Sequence, residues 1–129
     1  MRSKKVMIVE DHDDSRWAMK LMLESEGYSI FEAKNGAEAI EHAMEFLPDV
    51  IVMDLDLPRL NGVKAAARIK SIPLLAHTRI IAISAFTEYE RELSSSDFLA
   101  FVRKPVNYET LLPLLAASFP KKPAPLSTN

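Results

Sequence analysis

The feature that most constrains this fold is the run Val-Ile-Val-Met at residues 50–53, which ends at Asp54. Four consecutive apolar residues between aspartates are too few for a buried helix, so they predict a strand buried on both faces. Such strands are typical of parallel sheets, because helices cover both faces of those sheets. Ligands bind outside the carboxyl ends of these strands, which makes Asp54 a candidate reactive group.

The rest of the chain supplies four more strand candidates, at residues 6–9, 29–33, 79–83 and 98–102. Helical patterns separate them. Five strands alternating with helices predict an α/β fold, in which a flavodoxin-like doubly wound parallel sheet has helices on both faces. The strand order expected for such a sheet is 2-1-3-4-5, with its switch point between the first and third strands.

Helix boundaries are predicted from capping residues and breakers. The first helix has three N-cap candidates, Asp13, Asp14 and Ser15, and closes at Gly27, and its apolar face is assigned to Trp17, Leu21 and Leu23. The later helices are predicted from Asn35-Gly36 to Pro48, over residues 63–69, over residues 87–93 as a short helix, and from Asn107 or Thr110 to Phe119. Pro113 would fall inside the last helix if Asn107 caps it.

Length and composition limit the function classes. With 129 residues there is room for one domain, predicted over residues 1–119, and the Pro-rich residues 120–129 read as a disordered tail. A net charge of −2 argues against direct nucleic-acid binding, and the absence of cysteine excludes disulfides and thiolate chemistry. The basic N-terminus precedes only four apolar residues, which predicts no signal peptide and no membrane span, hence a cytoplasmic protein.

Chemically active residue types follow four of the five predicted strands: Glu10 and Asp11 the first, Asp54 the third, Ser84 the fourth and Lys104 the fifth. The predicted strand order brings the acidic pair beside Asp54, with the hydroxyl and the ammonium on the other flank. Three adjacent carboxylates repel one another unless a cation relieves them, and Mg²⁺ prefers such hard oxygen ligands. These are the groups needed to move a phosphoryl group, with the Asp54 carboxylate attacking in line.

Over residues 5–119 the chain resembles the receiver domain of two-component response regulators, of the single-domain chemotaxis type. The resemblance rests on the acidic pair, on Asp54 with its downstream Pro58 and Gly62, on Ser84 and on Lys104-Pro105. It implies that Asp54 is the phospho-acceptor, that Lys104 and Ser84 assist, and that Ser84 and Phe101 form a switch. It also implies Mg²⁺ ligation by Glu10, Asp11, Asp54 and the backbone carbonyl of Asp56. The Asp56 and Phe86 positions tune dephosphorylation in this family.

The function that the resemblance implies is a phosphorylation switch or relay. Asp54 would take a phosphoryl group from a sensor histidine kinase or a phosphotransfer protein, and the domain would signal to a downstream protein by contact. Such a protein is not a conventional enzyme, although it assists its own phosphorylation and dephosphorylation. The sequence leaves open the kinase, the target and whether phosphorylation drives dimerisation.

Two alternatives stay open at this point. A haloacid-dehalogenase-type phosphohydrolase would use the motif Asp54-Leu55-Asp56, but in that family the acidic metal pair comes late in the chain, whereas Glu10-Asp11 comes first here. A receiver-like interaction module would keep the fold without the phosphate chemistry. The intact set of acids, hydroxyl and lysine argues against that second reading.

Overall fold

The computed structural model describes residues 4–57, 61–86 and 97–119. Five strands are present in these ranges: β1 (Lys5–Val9), β2 (Ser29–Ala33), β3 (Val50–Asp54), β4 (Arg79–Ser84) and β5 (Ala100–Arg103). Four α-helices accompany them, α1 (Asp13–Ser25), α2 (Gly36–Phe46), α3 (Gly62–Ser71) and α4 (Tyr108–Ala117), with a 3₁₀ turn at Pro73–Leu75.

All five strands are parallel and lie in the order β2-β1-β3-β4-β5. The predicted α/β fold class and strand order are therefore confirmed. The register places Val9 beside Met53, Asp54 beside Ile83, and Ser84 beside Arg103. Because these pairs all lie at the carboxyl ends of their strands, the residues that follow β1, β3, β4 and β5 gather at one edge of the sheet.

Alternate residues of the central strands enter two separate cores. Ile51 and Met53 pack in one core with residues of α2 and α3, such as Ala43 and Ile69. Val50 and Val52 pack in the other core, whose helical members come from α1 and α4: Met19, Leu23, Leu111 and Leu115. Every residue of β3 is buried, as its uninterrupted apolar run predicts.

Asparagine side chains begin three of the four helices. Asn35, Asn61 and Asn107 accept hydrogen bonds from backbone N–H groups at 2.8, 2.9 and 2.8 Å, respectively. The prediction of a side-chain cap from Asp13, Asp14 or Ser15 was wrong, because α1 begins directly at Asp13 and its N-cap residue, His12, makes no capping hydrogen bond. Gly27 follows α1 at φ +93°, a left-handed conformation that glycine adopts without a steric penalty.

The predicted apolar face of α1 was also wrong in two of its three residues. Trp17 and Leu21 are 61% and 46% exposed, whereas Leu23 is fully buried. The buried face consists of Arg16, Met19 and Leu23. Trp17 and Leu21 lie four residues apart and form a second apolar stripe beside the buried one. The spacing that predicts a helix therefore does not identify which stripe faces the sheet.

The remaining predictions differ in their boundaries or lie outside the described residues. Strand β5 begins at Ala100, two residues later than expected, because Phe98 and Leu99 lead into it as irregular chain. Asn107 is the cap of α4, so Pro113 lies inside that helix. The helix predicted at 87–93 and the tail at 120–129 fall outside the described residues. Within residues 4–57, 61–86 and 97–119, no helix is both long and apolar enough to cross a membrane.

Candidate functional site

The site is built around Asp54, the last residue of β3, which is only 3% exposed. One of its carboxylate oxygens, Oδ1, accepts a hydrogen bond from the backbone N–H of Asp56 at 2.8 Å. The other, Oδ2, accepts one from Lys104 Nζ at 3.0 Å. Both oxygens are thus held in place by the chain.

An acidic cluster lies on one side of this carboxylate. Glu10 and Asp11 follow β1, and one carboxylate oxygen each from Glu10, Asp11 and Asp54 lie within 4.8 Å of one another. Burial, together with a hydrogen bond to Asp54 and the charge of that aspartate, raises the pKa of Glu10 from 4.5 to about 8, although Lys104 opposes the shift. The cluster therefore stabilises the protonated form of Glu10 at neutral pH.

This donor set fits a magnesium ion. An octahedral Mg²⁺ with bonds of about 2.1 Å places its ligand oxygens roughly 3 to 4 Å apart, a spacing that oxygens confined within 4.8 Å satisfy. The ligands are hard oxygen donors, and burial together with the neighbouring Asp54 raises the pKa of Glu10, so that added positive charge would stabilise its ionised form. Lys104 supplies one positive charge, and a divalent cation would supply the remainder.

Lys104 follows β5 directly. In the order of the strands across the sheet, β5 and the acidic pair after β1 lie on opposite sides of β3, which ends at Asp54. The Lys104 backbone N–H donates to the Ser84 carbonyl at 3.0 Å, which aligns the end of β5 with the end of β4. Partial burial lowers the pKa of Lys104, but the hydrogen bond and charge of Asp54, with the charges of Glu10 and Asp56, more than offset this and raise it above 10.5. The ammonium therefore stays charged at neutral pH.

Ser84, the last residue of β4, points at Asp56 in this structure. Its hydroxyl donates to Asp56 Oδ1 at 2.8 Å and accepts from the Phe86 N–H at 3.0 Å. The Ala85 N–H donates to Asp56 Oδ2 at 3.1 Å. The sequence predicts for Asp56 a backbone role at the metal and a place in dephosphorylation, but it does not predict the contacts of the Asp56 side chain with Ser84 and Ala85.

Gly62 keeps the backbone after Asp54 close to the start of α3. A Cβ atom at this position would lie 2.5 Å from the Asp54 carbonyl oxygen and 2.8 Å from Leu55 Cα. Real Cβ atoms do not approach backbone atoms so closely, so a side chain here would displace the end of β3. The glycine is needed for this close approach.

Arg16 is a residue at the site that the sequence analysis missed. It is only 8% exposed, and its Nη1 donates to the Glu10 carbonyl at 2.9 Å. It also pairs with Asp13 at 2.6 Å and with Glu32 at 3.2 Å. The available signal was the Asp13/Arg16 spacing of three residues on a helix that directly follows the acidic pair.

A cavity of about 460 Å³ reaches Asp54 and Lys104. It lies between α1, the central strands and the loop after β5, and its walls include Ala18, Met19 and Tyr108. A group that approaches Asp54 along this side meets a mostly apolar wall and then the charged residues.

Phe101, the predicted switch aromatic, lies on β5 and is partly buried. It packs against the core that also contains residues of α2 and α3. The structure brings Glu10, Asp11, Asp54 and Lys104 together, and it places the Ser84 hydroxyl in hydrogen-bond contact with the Asp56 carboxylate. The switching roles of Ser84 and Phe101 stay predictions.

Comparison with known proteins gives the family. The family model of the response regulator receiver domain matches residues 6–116. The polar-differentiation response regulator DivK of Brucella anthropi is 33% identical, over 81% of this chain and 86% of that protein. A relative from Pseudomonas aeruginosa that carries the name of a transcriptional regulator is 33% identical over 84% of this chain, but the chain spans only 53% of its length.

A solved structure shows the same architecture. The response regulator TrrA from Thermotoga maritima, in complex with Mg²⁺ and beryllofluoride, superimposes with a TM-score of 0.82 at 28% identity, covering 90% of this chain and 99% of that one. The resemblance expected from the motifs is confirmed, and the chain belongs to the response regulator receiver domain family of two-component signalling.

Proposed function

We propose that this receiver domain is a phosphorylation switch or relay in which Asp54 is the phospho-acceptor. The observation that carries the proposal is the setting of the Asp54 carboxylate, with Lys104 Nζ at 3.0 Å and carboxylate oxygens of Glu10 and Asp11 within 4.8 Å. This carboxylate therefore has the Lys104 ammonium beside it and a candidate cation site, the acidic cluster, within reach. Both are needed to bring an anionic phosphoryl group to an anionic nucleophile.

The phosphoryl donor would be a phosphohistidine on a sensor histidine kinase or a phosphotransfer protein. An Asp54 oxygen forms the new P–O bond as the P–N bond of the donor breaks. The imidazole nitrogen retains the electron pair and takes up a proton. The product is an acyl phosphate on Asp54, and Lys104 offsets part of the charge that the phosphoryl oxygens add.

Glu10, Asp11, Asp54 and the backbone carbonyl of Asp56 would hold Mg²⁺. When bound, the ion neutralises charge on the phosphoryl oxygens. The Mg²⁺ and beryllofluoride complex of TrrA supports this assignment by relationship. Ser84 and Phe101 would then report the phosphorylated state to a downstream protein by a change in contacts, a switch rather than a turnover activity.

The family match argues against the phosphohydrolase alternative, which expects a different order of motifs along the chain. The cytoplasm stays the predicted compartment, and a protein target without direct nucleic-acid or membrane contact stays the predicted output. Phosphorylation-dependent dimerisation also stays a prediction.

The test is intact-protein mass after incubation with acetyl phosphate, with and without Mg²⁺. We expect one added phosphoryl group on the wild type with Mg²⁺, and none on Asp54→Asn. Asp14→Asn is the matched control, because Asp14 is an exposed carboxylate in the first turn of α1 and its loss changes net charge equally.

Labelling that survives in Asp54→Asn, or that is independent of Mg²⁺, would overturn the proposal. An absence of labelling in every protein, together with no response to beryllofluoride, would favour the phosphate-independent interaction module.

A further inference from the structure

The Asp56 carboxylate accepts two hydrogen bonds and lies beside an ammonium group. Ser84 Oγ donates to Oδ1 at 2.8 Å, and the Ala85 N–H donates to Oδ2 at 3.1 Å. Lys104 Nζ lies 3.4 Å from Oδ2. A hydroxyl, a backbone amide and an ammonium therefore converge on one anion, whose side chain is only 17% exposed.

One of these three groups also contacts Asp54, the carboxylate that would carry the phosphoryl group. Lys104 touches Asp54 at 3.0 Å and Asp56 at 3.4 Å, so one ammonium contacts both carboxylates. The Asp56 backbone N–H in turn donates to Asp54 Oδ1 at 2.8 Å, which keeps the two residues adjacent. A phosphoryl oxygen that reached Ser84, Ala85 and Lys104 would have to take the place that the Asp56 carboxylate occupies.

We infer that the Asp56 side chain is an internal competitor for the phosphoryl-binding donors, so that it weakens the site's affinity for phosphoryl-type anions and holds the Ser84 hydroxyl before any phosphate arrives. This inference rests on the proposed phospho-acceptor function of Asp54. It assigns the Asp56 side chain a role distinct from the metal contact of its backbone carbonyl.

The competition follows from charge and from hydrogen bonding together. Two like charges cannot share one set of donors without repulsion, so an incoming anion must displace the Asp56 carboxylate from two hydrogen bonds and an ion pair. Each of these contacts is individually modest in net strength. Replacing the Asp56 carboxylate would free all three groups for the incoming anion, which should raise the affinity for a phosphate analogue roughly tenfold.

The experiment titrates beryllofluoride in the presence of Mg²⁺ into the ¹⁵N-labelled chain and follows the Ala85 amide signal. The proteins are wild type, Asp56→Ala, Asp56→Asn and the charge control Asp14→Asn. We expect the affinity to rise roughly tenfold in Asp56→Ala and to stay at the wild-type value in Asp14→Asn. Asp56→Asn keeps an acceptor for Ser84 but loses the charge that faces Lys104, so its affinity should lie between those of the wild type and Asp56→Ala.

A second reading needs no phosphate analogue. Because the Ala85 N–H donates to Asp56, its amide signal should differ between Asp56→Ala and the wild type before any ligand is added. Adding beryllofluoride should then move the signal further in Asp56→Ala than in the wild type. Dispersed spectra of Asp56→Asn and Asp56→Ala show whether each variant is folded, and either folded variant tests the competition.

Equal beryllofluoride affinity in the wild type and Asp56→Ala, or an equal gain in Asp14→Asn, would overturn the inference while leaving the phospho-acceptor function standing. Failure of the wild type and all variants to bind beryllofluoride with Mg²⁺ would overturn both. An unmoved Ala85 amide in Asp56→Ala would show that Asp56 does not hold these donors in solution.

Discussion

The raised pKa of Glu10 predicts that the metal-free protein loses stability as pH rises. Burial and the neighbouring Asp54 raise this pKa from 4.5 to about 8, so between these values the folded state binds one proton that the unfolded state has released. The free energy of unfolding then falls with pH, because the unfolded state binds fewer protons than the folded state. The contribution is fully favourable below pH 4.5 and is lost progressively up to about pH 8.

The magnitude follows from the linkage relation. One proton difference changes the free energy of unfolding by about 1.4 kcal/mol per pH unit. Between pH 5.5 and 7.5, both inside the window, the loss attributable to Glu10 should be roughly 2 to 3 kcal/mol. That is a large part of the stability of a domain of this size, which lies in the range of about 5–15 kcal/mol.

The assay is urea unfolding in EDTA at several pH values between 5 and 9. Glu10→Gln keeps the side chain's size and removes its titration, so the difference in unfolding free energy between wild type and Glu10→Gln isolates this residue from histidines and other groups. Asp14→Asn, an exposed change of the same kind, should retain the wild-type slope. Adding Mg²⁺ above pH 7 should restore stability to the wild type, because the ion favours the ionised cluster.

Parallel pH profiles for wild type and Glu10→Gln would refute the reasoning. They would show that Glu10 titrates near its ordinary pKa and that the acidic cluster is solvated in the folded protein.

Three further predictions follow from single contacts. Gly62→Ala should cost about 1–3 kcal/mol of stability and slow phosphorylation by acetyl phosphate, because a Cβ would lie 2.5 Å from the Asp54 carbonyl oxygen; wild-type values in urea unfolding and mass labelling would contradict this. Arg16→Met should cost about 1–3 kcal/mol by leaving the Glu10 carbonyl without its donor, whereas the exposed Arg68→Met should cost much less, and equal losses in urea unfolding would argue against the contact. Lys104→Met should tighten Mg²⁺ binding roughly tenfold by calorimetry, because the ammonium competes for Asp54 at 3.0 Å, and it should slow phosphoryl transfer; unchanged Mg²⁺ affinity would contradict the competition.

The fold could be predicted from sequence because its determining signals are local. The uninterrupted apolar run that ends at Asp54 shows burial on both faces, and alternation with helices leaves few topologies for a parallel sheet. The acidic trio and Lys104 followed from the same argument, since parallel strands bring their carboxyl ends to one edge. These predictions depend on where backbones lie and need no knowledge of side-chain conformations.

The features that the sequence did not predict depend on side-chain conformations that several neighbouring residues determine together. Two apolar stripes run along α1, and the buried one shares its face with Arg16, whose guanidinium donates to the Glu10 carbonyl. Likewise, the contact of the Ser84 hydroxyl with Asp56 depends on the conformations of single side chains at the strand ends. Periodicity and motif spacing carry no information at that scale.

The exposure of Trp17 has a consequence for how this protein can be observed. It is the chain's only tryptophan, it lies on α1, and it is 61% exposed, while other residues of that helix, Ala18 and Met19, line the cavity that reaches Asp54. Its indole is therefore a natural fluorophore on the outside of the helix. Emission from this residue should shift when a macromolecule covers α1, and it should change little when a small anion or cation enters the acidic site. The tryptophan thus gives an optical signal for association, without a label, that is separate from ion binding and phosphorylation at Asp54.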